Sequence, residues 1–288
     1  MDPDLLGRVA EAAGQGVDPL GRIERGYANN DRWRVRLADG STAFAKCAVD
    51  DDTAEWLRRE REVYELRAPF MPALLGWGEG DLPVLLLEDL AGCRWPPPWG
   101  PGDVEVVLET LAEVAGTPVP AALRGRLSMA QLALTGWAEI AEDPVPFLSL
   151  GLCDGAWLER ALPALVAASD VEPFAGDALL HLDVRSDNLC LRGRAILVDW
   201  NWACAGNPLA DVAFWLPSLM WEGGPAPEEV CPEAAVFAAL VAGFYASVAG
   251  LPPLPHAPRV REVQRAQLRV ALPWALRTLD LPEPSPRG

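Results

Sequence analysis

Between Trp95 and Gly102 the chain reads WPPPWGPG, and neither a helix interior nor a central sheet ladder runs through three successive prolines. The patterns on its two sides differ. Before it, apolar residues alternate with polar ones at the period of a strand; after it, they recur at the spacing of a helix. A chain of 288 residues can build two modest cores. We therefore expect an α+β protein with residues 1–92 as a small β-rich lobe holding one main helix, and residues 93–288 as a larger, mostly helical lobe. Half the residues are apolar and 23% are charged, which rules out wholesale disorder.

In the first part, Trp33, Val35 and Leu37 alternate with Arg34 and Arg36. A turn at Ala38-Asp39-Gly40-Ser41 follows, and Thr42 to Ala48 resumes an extended run, so this is a β-hairpin with Lys46 near its end. Asp50-Asp51-Asp52-Thr53 supplies N-cap chemistry for a helix that stops before Pro69. On that helix Trp56, Leu57, Val63 and Tyr64 share a face with Glu60 in its middle, while Glu62 points the other way. A carboxylate in an apolar stripe needs a cation, and Lys46 on the preceding strand is the obvious one. Val84 to Leu87 reads as a strand buried on both faces.

Beyond the prolines, helical patterns run over 103–115, 128–141, 156–168, 208–221, 232–249 and 259–279. They are interrupted between Ala178 and Val198, where Leu189-Cys190-Leu191, Arg192-Gly193-Arg194 and Ala195 to Val198 form a second hairpin. Asp183 and Asn188 lie just before its first strand and Asp199 directly after its second. A short antiparallel pair folds these ends together. Of the two carboxylates, one joins the amide oxygen in offering hard ligands for Mg²⁺ and the other is free to accept a proton from a hydroxyl, which is the set that phosphoryl transfer requires.

The segment HLDVRSDN, from His181 to Asn188, resembles the HxDxxxxN catalytic loop of the aminoglycoside phosphotransferase family, relatives of the protein kinases. VDWNWACAGNPLADVAFW, from Val198 to Trp215, is similar to that family's metal-binding segment. The resemblance implies a protein-kinase-like bilobal fold and an Mg²⁺-dependent enzyme that uses ATP, with GTP left open. It implies Asp183 as the base that orients the acceptor hydroxyl and Asn188 and Asp199 as Mg²⁺ ligands. It further implies Lys46 on the nucleotide phosphates, held by Glu60, and Arg185 steadying the transferred group. Glu88 to Leu90 would be the hinge beside the adenine, His181 a brace, and Asn29 and Asn30 donors in a phosphate loop that lacks GxGxxG. Asp211 has two readings: a brace beneath the catalytic loop, or a solvent-facing acid in the first turn of a helix.

The net charge of −17 repels nucleic acid and anionic membranes alike and suits a cationic acceptor, though it equally suits general solubility. Six scattered cysteines without a CxxC pair and only two histidines argue against a zinc cluster. His256, among prolines, reads as a surface residue. The acidic N-terminus shows no signal peptide, so the expectation is a cytoplasmic protein, monomer or homodimer. Ala234 to Pro255 carries no charge but is built mainly of Ala and Gly, and we read it as a buried helix. The resemblance implies a small-molecule acceptor: an aminoglycoside-like antibiotic, which would make this a resistance enzyme, or a metabolite of the choline, homoserine or fructosamine type. A catalytically silent nucleotide-binding protein of the same fold is the alternative from another class.

Overall fold

The computed structural model describes residues 1–24, 30–124, 129–169, 172–254, 257 and 259–284. The chain opens with α1 (Pro3–Ala13), started by Asp2, whose side chain accepts from Leu5 N at 2.9 Å, and ended by Gly14 in the left-handed region. Strands β1 (Val17–Arg22), β2 (Asp31–Leu37) and β3 (Thr42–Cys47) follow, then α2 (Asp51–Tyr64), β4 (Leu74–Gly78) and β5 (Val84–Glu88). They make one antiparallel sheet in the order β1-β2-β3-β5-β4. The expected hairpin is β2–β3, turning at Gly40 with φ 88°.

Residues of β5 point alternately to two cores. Val84 and Leu86 join Leu5, Val9 and Ala12 of α1 on one face. Leu85 and Leu87 join Leu57, Val63 and Tyr64 of α2 on the other, in a core continuous with the helical part. So α1 is a second helix of this lobe, beside the expected α2. Its close approach explains a glycine in β4: a Cβ on Gly76 would sit 2.1 Å from Ala12 O.

The rest is mainly helical: α3 (Asp103–Ala115), α4 (Met129–Glu142), the single-turn α5 (Val145–Leu148), α6 (Gly155–Ala167), α7 (Leu209–Trp221), the single-turn α8 (Pro227–Val230), α9 (Ala238–Ala249) and α10 (Val260–Thr278). Two small strand pairs interrupt it. The expected hairpin is β7 (Leu189–Leu191) with β8 (Ala195–Leu197), and it is framed by β6 (Ala178–Leu180) with β9 (Cys204–Gly206). Arg94, next to the proline run, bridges to Leu191 of β7 and thereby ties that run to the hairpin.

The uncharged stretch divides into a 3₁₀ segment, Pro232–Phe237, and α9. By length and composition Pro232–Ala249 could cross a membrane, yet 67% of it is buried inside the fold. Helix α9 packs against α4 and α10. The backbones of α4 and α9 nearly touch, since a Cβ on Gly136 would meet the Gly243 carbonyl at 2.3 Å. Gly136→Ala must therefore push the two helices apart, and we expect a stability loss of about 2 kcal/mol in denaturant unfolding. A variant as stable as the parent would show that the pair can separate freely.

Candidate active site

Two backbone kinks shape the site. Leu182 (φ 60°) and Asp199 (φ 68°) both occupy the left-handed region, which costs a side-chain-bearing residue of order 1–3 kcal/mol and persists only where the surroundings enforce it. At Leu182 the enforcing group is Asp211 of α7. Its buried carboxylate accepts from His181 N at 2.9 Å and from Leu182 N at 2.6 Å. Asp211 is thus a brace beneath the loop, and the solvent-facing reading is wrong. Burial raises its carboxyl to about 6, against the pull of those two N–H groups.

His181 is wholly buried and packs on Trp200, with ring centroids 4.5 Å apart. Its Nε2 lies 2.9 Å from Val198 O and its Nδ1 accepts from Asp183 N at 3.2 Å, which fixes the Nε2–H tautomer. Burial lowers its pKa to about 4, so the ring is neutral in ordinary buffers and braces the loop as expected.

Braced in this way, Asp183 faces the cleft with both oxygens engaged. Arg185 Nη1 lies 3.0 Å from Oδ1, and Asn188 Nδ2 donates to Oδ2 at 2.8 Å. Burial raises the Asp183 carboxyl to about 6, and Arg185 opposes this. Arg185 is clamped by Asp187 as well, at 3.0 Å, so it belongs to an ion cluster within the 181–188 loop. The amide of Asn188 donates toward Asp183, which leaves its Oδ1 as the oxygen for a cation.

A second cluster sits across the cleft. Lys46 contacts Glu60 and lies 2.9 Å from Asp199 Oδ1. The helical-wheel argument for Glu60 over Glu62 holds. Burial alone would lower the Lys46 pKa, but Asp199 and Glu60 outweigh it and raise it. Burial pushes the Glu60 carboxyl up while Lys46 pulls it down. Of the two acids, Asp199 is the one held firmly ionised, because Lys46 overcomes the cost of burial and sets its pKa well below the usual carboxylate range. Asp199 N donates to the Tyr64 hydroxyl at 3.2 Å, so α2 anchors the second kink.

Between the clusters lie two cavities. One, of about 330 Å³, runs from Lys46 and Asp199 past Asn188 to Leu87, Glu88 and Leu90. Among the described residues, no protein group accepts from Leu90 N–H, whereas Leu90 O takes Cys93 N at 3.0 Å. The Glu88 side chain is committed to Arg192 on the cavity rim. The other cavity, of about 350 Å³, starts at Asp183 and Arg185 and extends between α7, α9 and α10. Lys46, Glu60, Asp187 and Asp199 line both. Asn30 is buried in the lining of the second, and its Nδ2 has no partner among the described residues. Asn29 and His256 fall outside the described residues.

The sequence reading omitted Asp187, which clamps Arg185, and Asn201. With its amide nitrogen turned to Asp199, Asn201 donates to Asp199 Oδ1 at 3.1 Å. It omitted Glu222 too, which accepts from Ser186 of the catalytic loop and, at 3.0 Å, from Trp99 of the proline run. Asp187 and Asn201 each lie within two residues of a named motif position, and that proximity was their only signal. Glu222 had none.

No family model matches the sequence, and no curated protein matches it. The fold, in contrast, is well represented among solved structures. The chain superposes on a spectinomycin phosphotransferase bound to ADP and spectinomycin with a TM-score of 0.62 and 12% identity, covering 96% of this chain and 98% of that one. An amicoumacin kinase bound to AMP-PNP, Ca²⁺ and its antibiotic gives 0.59 and 12%, covering 98% and 96%. A macrolide 2′-phosphotransferase from Brachybacterium faecium gives 0.56 and 19%, covering 92% and 96%. The bilobal α+β fold shared by these small-molecule phosphotransferases is the fold of this chain.

Proposed function

We propose that this chain, which has the fold of the small-molecule phosphotransferases, transfers the γ-phosphoryl group of ATP to a hydroxyl of a small molecule, with Mg²⁺. The observation that carries the reading is the junction of the two cavities. Lys46, Asp199, Asn188 and Asp183 converge where a cleft of nucleotide size opens onto a second one that can hold an acceptor.

The donor set suits Mg²⁺, which takes oxygen ligands and binds through one or two protein groups plus substrate phosphates. Asp199 is ionised, and no donor among the described residues takes up the Asn188 amide oxygen; these two would hold the ion. When bound, it neutralises charge on the β- and γ-phosphates. Lys46 would meet the phosphates as a fixed ammonium, positioned by Glu60, and the Leu90 N–H would face the adenine edge.

Asp183 binds the acceptor hydroxyl and takes its proton as the alcohol oxygen forms its bond to the γ-phosphorus. The bond from that phosphorus to the β,γ-bridging oxygen breaks, and ADP leaves with the electron pair. Asp183 then releases the proton to solvent. Arg185 holds the carboxylate in place through its own link to Asp187.

The reading is tested by following label from γ-labelled ATP into acceptors, with Mg²⁺ and with a chelator. Acceptor- and Mg²⁺-dependent transfer is the expected result; a chain that binds no ATP would refute the assignment. The base must be ionised, so kcat/KM for the acceptor should fall as pH drops through about 6, where burial places Asp183. His181 is already neutral there and cannot produce that limb. An acid limb at pH 4 or below would mean that Asp183 is not the titrating group.

A further inference from the structure

The second cavity carries information about the acceptor that the net charge does not. Its four carboxylates among the described residues all lie at the catalytic end and share two cations: Glu60 and Asp199 meet Lys46, while Asp183 and Asp187 meet Arg185. Away from that end the wall is aromatic and aliphatic. Phe214 of α7 packs on Phe244 of α9 at 5.9 Å between ring centroids, and Phe244 on Tyr245 at 5.1 Å. Helix α10 closes the far side with Val260 and Val263. An acceptor bearing several ammonium groups would set them against these side chains, where no carboxylate among the described residues receives them, and an unpaired buried charge is among the most expensive groups a site can hold.

Three polar groups among the described residues interrupt this wall: the Tyr245 hydroxyl and the two α10 amides Gln264 and Gln267. Gln267 of α10 lines the cavity, is 1% exposed, and has an amide nitrogen without a partner among the described residues. The oxygen of its neighbour Gln264, which is only half-buried, accepts from Arg261 Nη1 at 2.8 Å. A buried N–H with nothing to donate to costs free energy unless a ligand oxygen satisfies it.

We infer that the acceptor is an alcohol on a bulky, largely apolar skeleton with an oxygen that accepts from Gln267, and that it is not a polycation. The inference rests on the phosphotransferase reading and replaces the cationic acceptor suggested by the acidic composition. That acidity lies elsewhere, since the far wall of the cavity contributes none of it. A choline-sized acceptor would satisfy the aromatic rings but leave most of the 350 Å³ unfilled.

The test is a matched panel with the full chain, MgATP and four acceptors: octyl glucoside and erythromycin on the apolar side, kanamycin and choline on the other. The expected result is kcat/KM at least tenfold higher for an apolar acceptor. A tenfold preference for kanamycin or choline would overturn the inference and leave the kinase reading standing. If none is phosphorylated, calorimetry on the ADP-loaded protein decides: binding of an apolar compound but not of kanamycin supports the inference, and any other pattern overturns it. Failure to bind ADP at all would instead sink the phosphotransferase reading. Gln267→Leu should raise the KM of the preferred acceptor about tenfold without moving the KM of ATP. An unchanged acceptor KM would remove Gln267 from the site.

Discussion

Replacing Asp183 by Asn is expected to lower kcat by about 10³-fold, within the range of a positioned general base, while the KM of ATP stays near the parent value. The two readouts separate because Asp183 lines only the proposed acceptor cavity, whereas the proposed nucleotide cleft is built from Lys46, Asn188, Asp199 and the strip from Leu87 to Leu90. The fold should survive. An asparagine oxygen can still accept from Asn188 Nδ2, and Arg185 keeps Asp187. Stability even gains a pH signature. The folded Asp183 carboxyl lies near 6, above its unfolded value near 3.8, so its favourable contribution is present at low pH and is lost as pH rises through 6. Above that, the parent protein carries a buried charge which the variant does not. Thermal unfolding should therefore find Asp183→Asn gaining in stability relative to the parent as pH rises from 4 to 8. Turnover within tenfold of the parent would remove Asp183 from the chemistry.

The parts of this site that could be read from the sequence were those whose partners are implied by local geometry. A wheel places Glu60 in an apolar stripe, an apolar stripe demands a cation, and Lys46 is where it is needed. The β7–β8 hairpin likewise brings Asn188 and Asp199 near one another through a contact only a few residues long. Elements without a periodic signature were harder to read. Strand β1 lies at the sheet edge, mostly exposed, and holds a proline and a glycine; β4 has glycines because α1 presses on it. Neither alternates. Asp211 stayed open between two readings because a first-turn acid looks the same whether it faces water or two buried N–H groups. The acceptor wall was the least legible part, since it is assembled from α7, α9 and α10, and no local pattern says which of their apolar residues will face an empty space and which the core.

The other large effect expected is on Lys46. Lys46→Met keeps the side chain's length and removes only the ammonium, leaving Glu60, 1% exposed, beside Asp199 with no cation between them. Removing one partner of a buried ion pair is far more damaging than never having had the pair, so we expect a loss of about 3 kcal/mol in denaturant unfolding. Activity should fall by at least about 10²-fold from loss of a preorganised donor to the phosphates. These two losses can be separated. In Lys46→Met/Glu60→Leu the stranded carboxylate is replaced by an apolar side chain on a face already lined by Leu57, Val63 and Tyr64, and stability should return to within about 1 kcal/mol of the parent. Activity should not return, because the ammonium is still missing. If the double variant recovered turnover along with stability, Lys46 would be only a structural counter-ion for Glu60, and its place on the nucleotide would have to be given up. Recovery of stability alone is what the position of Lys46 between α2 and Asp199 leads us to expect: the same ammonium that makes Glu60 tolerable in the core is the charge the cleft presents to a phosphate.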